Sequence, residues 1–361
     1  MKIFKATRRY EAWLHEELDV FEEDLAFKRQ LLAKDPFIFL RGTFYRWMQL
    51  FPEMCSKAAD APAVLSVGDL HVSNFGTWRD ARQELVWGVN DFDEAASLPY
   101  TQDLIRLATS VGLASETERL KISLQEASHA ILDGYREGLE SGGGPFAVES
   151  EGEWMRKAYV KSEHLAEKYW QDLDQCAAME RNVPAEVIDM LEAGLPAKGM
   201  TYRLIHRLAG VGSLGRPRFT LLAHWQDGNV ALEAKALIPS AALWAQDRQK
   251  GADIQYEEVL ARAVRRPDPV MKVYEGWVVR GLAPDRCRIG LSELGPERDE
   301  TRMMQAMGRE TANIHLGTRP VIKDVLKDLK GRKPGWLERS ARKMVEATRK
   351  DWEMWRVGEL P

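Results

Sequence analysis

The residues that could perform chemistry are concentrated in one stretch, VGDLHVSNFGTWRDARQELVWGVNDFDEA (67–95). Asn74 stands five residues after Asp69, and Asp91 follows the apolar run Glu84-Leu-Val-Trp-Gly-Val89. Short apolar runs with β-branched and aromatic residues, bounded by turn residues, read as strands. Asp69 and Asn74 therefore fall on a loop, a hairpin follows, and Asp91 stands at a strand end. Phosphoryl transfer needs a carboxylate that accepts or orients a hydroxyl proton, together with oxygen donors that hold Mg²⁺. Asp69 suits the first role, Asn74 and Asp91 the second. Asp93 reads either as a further metal contact or as a turn residue. The D-x-x-x-x-N spacing is common by itself; joined to D-F-D across one hairpin, it narrows the reading.

A second constellation lies far downstream. Gly210, Val211, Gly212, Ser213, Leu214 and Gly215 spell G-x-G-x-x-G. In a dinucleotide fold such glycines open a helix. Here Pro217 and a β-rich run follow, so the glycines join two antiparallel strands, 202–209 and 218–225. A loop of that kind lets backbone N–H groups approach nucleotide phosphates. After a turn at Asp227-Gly228-Asn229, a third strand (230–237) carries Lys235, placed to hold the α/β-phosphates. Glu257, on a helix over 255–266, shares a face with Leu260 and Val264 and is expected to pair with Lys235 in preference to Glu258. Taken singly, the glycines fit a plain hairpin and Lys235 a solvated strand lysine. Only the joint pattern points to a nucleotide.

The elements that position these residues are mostly helical. Residues 7–34 carry an apolar stripe of Trp13, Leu14, Leu18, Phe21, Leu25 and Leu32, ended by Asp35-Pro36. Arg41 reads as a surface arginine or as one turned toward active-site anions. A helix is expected through Leu104–Leu113, with Thr101 or Asp103 as its cap, and another from Glu116 or Thr117 to about Leu139. The run from Ser141 to Pro145 breaks the pattern. Strands are expected over 270–281 and 286–294, and helices over 300–316 and 321–355. A formal net charge of −4 gives no sign of a general nucleic-acid binder. No run is long and apolar enough for a membrane span. Three widely spaced cysteines, Cys55, Cys176 and Cys287, suit a reducing, cytoplasmic setting more than a disulfide framework.

The stretches FLRG (39–42), VGDLHVSNFG (67–76), NDFDEA (90–95), QDLIRLATS (102–110), GVGSLG (210–215), the Lys235 strand and VVRGL (278–282) resemble an uncharacterised bacterial family, domain of unknown function 2252. That family is similar, more remotely, to aminoglycoside phosphotransferase and choline kinase-like enzymes. The resemblance implies an α+β, protein kinase-like two-lobe fold that is circularly permuted, because the catalytic loop precedes the glycine-rich loop. Residues 1–198 would form a helical lobe, 199–290 a β-rich lobe, and 291–361 helices returning to the first. It further implies ATP and Mg²⁺, with Asp69 catalytic, Asn74 and Asp91 on the metal, and an unknown hydroxyl-bearing acceptor. Asp103 would tie its helix to the catalytic loop, and Met307–His315 would lie beside residues 65–75. Phosphotransferases usually have His at the position before Gly68, whereas Val67 stands here; His71 is then a loop-orienting or core residue. Acidic Asp93, Glu94 and Asp103 would suit a cationic acceptor. AMP transfer, nucleotide binding without turnover, and a two-carboxylate hydrolase are the alternatives.

Overall fold

Apolar residues alternate with charges along the strands of the chain's second half, and 3.6-residue stripes mark the helices on either side. The computed structural model describes residues 2–114, 120–150, 154–157, 159, 166–286 and 297–358. Five helices lead: α1 (Ile3–Glu17), α2 (Glu22–Leu32), α3 (Pro36–Gly42), α4 (Phe44–Met54) and α5 (Ser56–Ala59). The expected stripe over 7–34 is thus two helices, parted by extended backbone at Leu18. Asp35 begins the next element: its Oδ1 accepts from the N–H groups of Phe37 and Ile38, and Pro36 opens α3.

Next come β1 (Ala63–Ser66), β2 (Phe75–Arg79), β3 (Leu85–Val89), β4 (Ala96–Pro99), α6 (Tyr100–Ala114), α7 (Leu124–Ser141) and β5 (Phe146–Ala147). β1 pairs with β4, and β2, β3 and β5 form a second antiparallel sheet. A capping box at Ser123 and Glu126 sets the start of α7, later than the expected Glu116 or Thr117. Then come α8 (Ala166–Asp174), α9 (Ala185–Glu192), β6 (Tyr202–Ile205), β7 (Arg218–Trp225), β8 (Gly228–Ala236), α10 (Ala241–Ala245), α11 (Tyr256–Arg262), β9 (Lys272–Tyr274) and β10 (Trp277–Leu282). The chain closes with α12 (Glu297–His315), α13 (Ile322–Gly331) and α14 (Trp336–Val357). Most of the strand expected over 286–294 lies outside the described residues. Among those described, no helix is long and apolar enough to cross a membrane. The whole is a mixed α+β fold of small antiparallel sheets and many helices.

The five-stranded sheet, ordered β6-β7-β8-β10-β9, has two unlike faces. Phe219, Leu221, Leu232, Ala234 and Val279 pack against Val187 and Leu191 of α9. On the opposite face Arg218 lies across from Lys235, and Arg280 across from Glu233. The period of two along a strand sorts apolar side chains to one side and ionic ones to the other.

Helices α7 and α12 approach so closely that side chains are excluded between them. A Cβ on Gly308 would overlap the carbonyl oxygen of Ile131, and one on Gly134 that of Gln305. Gly308→Ala is therefore expected to lower stability by about 2 kcal/mol or more, because the two backbones must part. Chemical denaturation checks this, and an unshifted midpoint would contradict the packing.

Candidate functional site

The loop after β1 has few backbone partners of its own, and α6 supplies them. Asp103 Oδ2 accepts from the Val67 N–H at 2.8 Å and Oδ1 from the Gly68 N–H at 3.0 Å. His315 Nε2 lies 3.1 Å from Asp103 Oδ2, and its Nδ1 lies 2.8 Å from the Tyr135 hydroxyl. Asp103 thus sits within α6 as an anchor for the loop rather than as a cap of its own helix. It also brings the end of α12 beside residues 65–68, where the Thr318 hydroxyl accepts from the Leu65 N–H. One turn further along α6, Arg106 Nε donates to Asp69 Oδ1 at 2.8 Å, and its Nη2 reaches the same oxygen. The Arg106 guanidinium lies between the rings of Phe44 and Trp47. Ser110 Oγ accepts from the Val72 N–H at 3.0 Å. Asp103, Arg106 and Ser110 are spaced i, i+3, i+7, so one helix face holds the loop. Burial lifts the Asp69 carboxyl to about 7 in spite of Arg106.

The hairpin of β2 and β3 brings the second acidic motif alongside. Asn90 donates its N–H to the Asn74 carbonyl at 3.1 Å, so Asn74 and Asp91 flank the same end of the hairpin. Asn74 Oδ1 accepts from the His71 N–H at 3.0 Å. Lys235 Nζ, 144 residues away, stands 3.2 Å from Asp91 Oδ1 and 2.6 Å from Asp93 Oδ1. Burial works to raise Asp91, but Lys235 and Arg280 overcome it and hold its carboxyl well below the usual range. Burial and the Asp91 charge push Asp93 up to about 6.

The expected Lys235–Glu257 pair does not form. Glu257 is exposed on α11, and Glu258 pairs with Arg262. The partners of Lys235 are the two loop carboxylates. The acidic residues also offer little to a cationic acceptor. Asp103 is fully buried on its three donors, and Glu94 accepts from Arg216, Ser240 Oγ and the Ala241 N–H.

The glycine-rich loop joins β6 to β7 as expected, although β6 stops at Ile205. Gly210 and Gly215 take positive φ of 71° and 93°, and Val211–Ser213 make a 3₁₀ turn between them. Gly212 closes on the acidic loop: a Cβ there would stand 3.2 Å from the Arg41 carbonyl and 3.5 Å from Asp69 Oδ2. Gly210–Ser213, Arg41, Asp69, His71, Asn74, Asp91 and Asp93 all line one cleft of about 500 Å³. Leu214 and Lys235 are buried behind that lining. Asn74 and Asp91 offer the hard oxygen donors that Mg²⁺ takes. Among the described residues, no set of three His, Cys, Asp or Glu side chains forms a self-sufficient metal site.

The sequence does not single out Arg106, Arg216, Glu233 or Lys28, yet all four shape the cleft. Arg106 carries a signal, a lone charge inside the apolar run LIRLATS; Glu233 shares ALEAKA with Lys235, and Lys28 and Arg216 stand among other charges. Glu233 is wholly buried, and three guanidiniums converge on it: Arg218 at 2.5 Å, Arg280 at 2.7 Å and Arg207 at 2.9 Å. Burial alone would raise this carboxyl, but the arginines hold it well below its ordinary 4.5. Its stabilising effect is therefore complete above about pH 4.5 and fades as pH falls toward the lowered value. At pH 7, Glu233→Ala is expected to cost about 3–5 kcal/mol, since the buried Arg218 and the half-buried Arg207 and Arg280 lose their counter-ion. Urea denaturation measures it; a loss below about 1 kcal/mol would mean that the arginines do not depend on this carboxylate.

Comparison with curated proteins and with solved structures yields no match. The glycine-rich loop and the Lys235 strand lie beyond the part of the chain that does find a counterpart. Over residues 21–167, which include Asp69, Asn74, Asp91 and the supporting face of α6, the chain matches the family described as "Uncharacterized protein conserved in bacteria (DUF2252)".

Proposed function

We propose that this protein is an ATP- and Mg²⁺-dependent phosphotransferase of circularly permuted, protein kinase-like architecture, acting on a hydroxyl of a small acceptor. The observation that carries the reading is the ion pair of Lys235 with Asp91, which joins two motifs 144 residues apart at the wall of one cleft. The order strand, glycine loop, strand, then a strand with the lysine and a helix is that of a kinase small lobe. The five-stranded sheet takes this part, and helices from both ends of the chain take that of the large lobe.

Bound ATP with Mg²⁺ would supply the phosphoryl group and neutralise the charge that develops on its transfer. Asn74 and Asp91 would contribute two metal oxygens, the remainder coming from phosphates and water. The backbone of Gly210–Ser213 would cover the phosphates, and Lys235 keeps Asp91 ionised. Arg106 occupies Asp69 Oδ1, which leaves Oδ2, on the Gly212 side, to receive or orient the acceptor's proton. The same Arg106 clamp favours a second reading, nucleotide binding without turnover. Labelled ATP separates the two and also detects AMP transfer through the mass of the product.

Calorimetric titration of ATP tests the core of the proposal. Binding should require Mg²⁺ and weaken about tenfold or more in Lys235→Met and Asp91→Ala. No binding in the wild type at millimolar nucleotide would overturn it. A base with a carboxyl near 7 must be ionised to work. Turnover is thus expected to rise with pH through about 7, and Asp69→Asn to lower kcat about 10²–10⁴-fold while ATP binding persists. A flat pH profile would remove Asp69 from that role.

A further inference from the structure

We infer that the acceptor carries an anionic group, a phosphate or a carboxylate, that is received by Lys28 next to Asp69. The inference rests on the phosphotransferase reading for the word acceptor, but its physical ground is separate. Every carboxylate lining the cleft already has a cation from the protein. Asp69 has Arg106, Asp91 and Asp93 share Lys235, Glu94 has Arg216, and Asp268 has Arg286. A cationic acceptor would meet no carboxylate that lacks a protein cation beside it. The lining cations are matched less evenly. Arg207, Arg218 and Arg280 share the single charge of Glu233, and Arg265 rests on the Trp78 and Phe92 rings with the Val89 carbonyl as acceptor.

Lys28 stands apart from these. It lines the cleft, is 6% exposed, and among the described residues its Nζ makes one hydrogen bond, to the Gly212 carbonyl at 2.7 Å. Among the described residues it has no salt bridge; nearby Glu11 is engaged by Arg29 through both oxygens. A buried ammonium without a counter-ion is costly, and burial accordingly pushes Lys28 down to about 8. An anion in the cleft supplies the missing charge. Its place follows from Gly212, whose carbonyl holds Lys28 and whose Cα faces Asp69 Oδ2. A ligand anion on Lys28 therefore sets a neighbouring hydroxyl toward Asp69. Nucleotide phosphates, by contrast, would lie on the Lys235 and Asp91 side.

The test uses inorganic sulfate, an anion that does not titrate near neutrality, with the full chain and calorimetric detection. Saturable binding is expected at millimolar sulfate. Lys28→Met should weaken it about tenfold or more, the worth of one charge-assisted contact, while Lys28→Arg keeps it. Added ADP should leave it unchanged. Near pH 8, binding should also draw protons onto the wild-type protein, seen as a dependence of the heat on the buffer's ionisation enthalpy. That readout needs no variant. Absence of sulfate binding, binding that survives Lys28→Met, or displacement of sulfate by ADP would each overturn the inference, the last by making Lys28 part of the nucleotide site. Sulfate binding through Lys28 in a protein that ignores ATP would sink the phosphotransferase reading and leave the anion site standing.

Discussion

A lysine ammonium only 1% exposed needs negative charge within reach, and in this protein that charge comes from a distant part of the chain. Lys235 can stay charged in the interior because Asp91 and Asp93 lie against it, and Asp91 stays ionised because Lys235 lies against it and the Arg280 charge acts on it. Neither side is tolerable without the other, since an uncompensated buried charge costs several kcal/mol. The sheet and the hairpin are therefore bound by mutual need. The same logic extends across the ionic face of the sheet to Glu233, whose three arginines also border the cleft.

The rigidity of the acidic loop has a different origin. Residues 67–74 make no ladder of their own, so their N–H groups need other acceptors. Asp103 and Ser110 provide these from α6, while Arg106 on the same helix face fixes the Asp69 carboxylate. His315 then braces Asp103 from α12. The cleft is a junction at which a sheet, a hairpin and two helices each contribute polar groups that the others leave unmet.

Much of this is legible in the sequence because it is local. The hairpin about residues 75–89, the glycine turn before β7 and the lysine on β8 follow from period and turn chemistry. Asp103 as the tie to the loop came from resemblance. Glu257 failed for a local reason. An inward Glu257 requires Val264 on the same helix face, but α11 ends at Arg262, and Ala263 is extended. Val264 then donates its N–H to the Asn313 carbonyl instead. The ionic network was illegible for another reason: Glu233 lies 15 residues from Arg218 and 47 from Arg280, and only strand register makes them neighbours. Lys28 is hidden in the same way, as one of several charges on a helix whose burial depends on a loop 184 residues later.

The bond between Asp103 and His315 spans 212 residues, which gives the site a place in time as well as in space. At roughly 5–20 residues per second, a ribosome takes about 10–40 s to travel from one to the other. Asp103 and the acidic loop therefore precede their brace by that interval. Lys235 emerges earlier than His315, so the sheet is available to the loop before the loop is fully supported. The nascent chain therefore passes through a period in which the acidic loop lacks its brace. Completion of the cleft waits on α12.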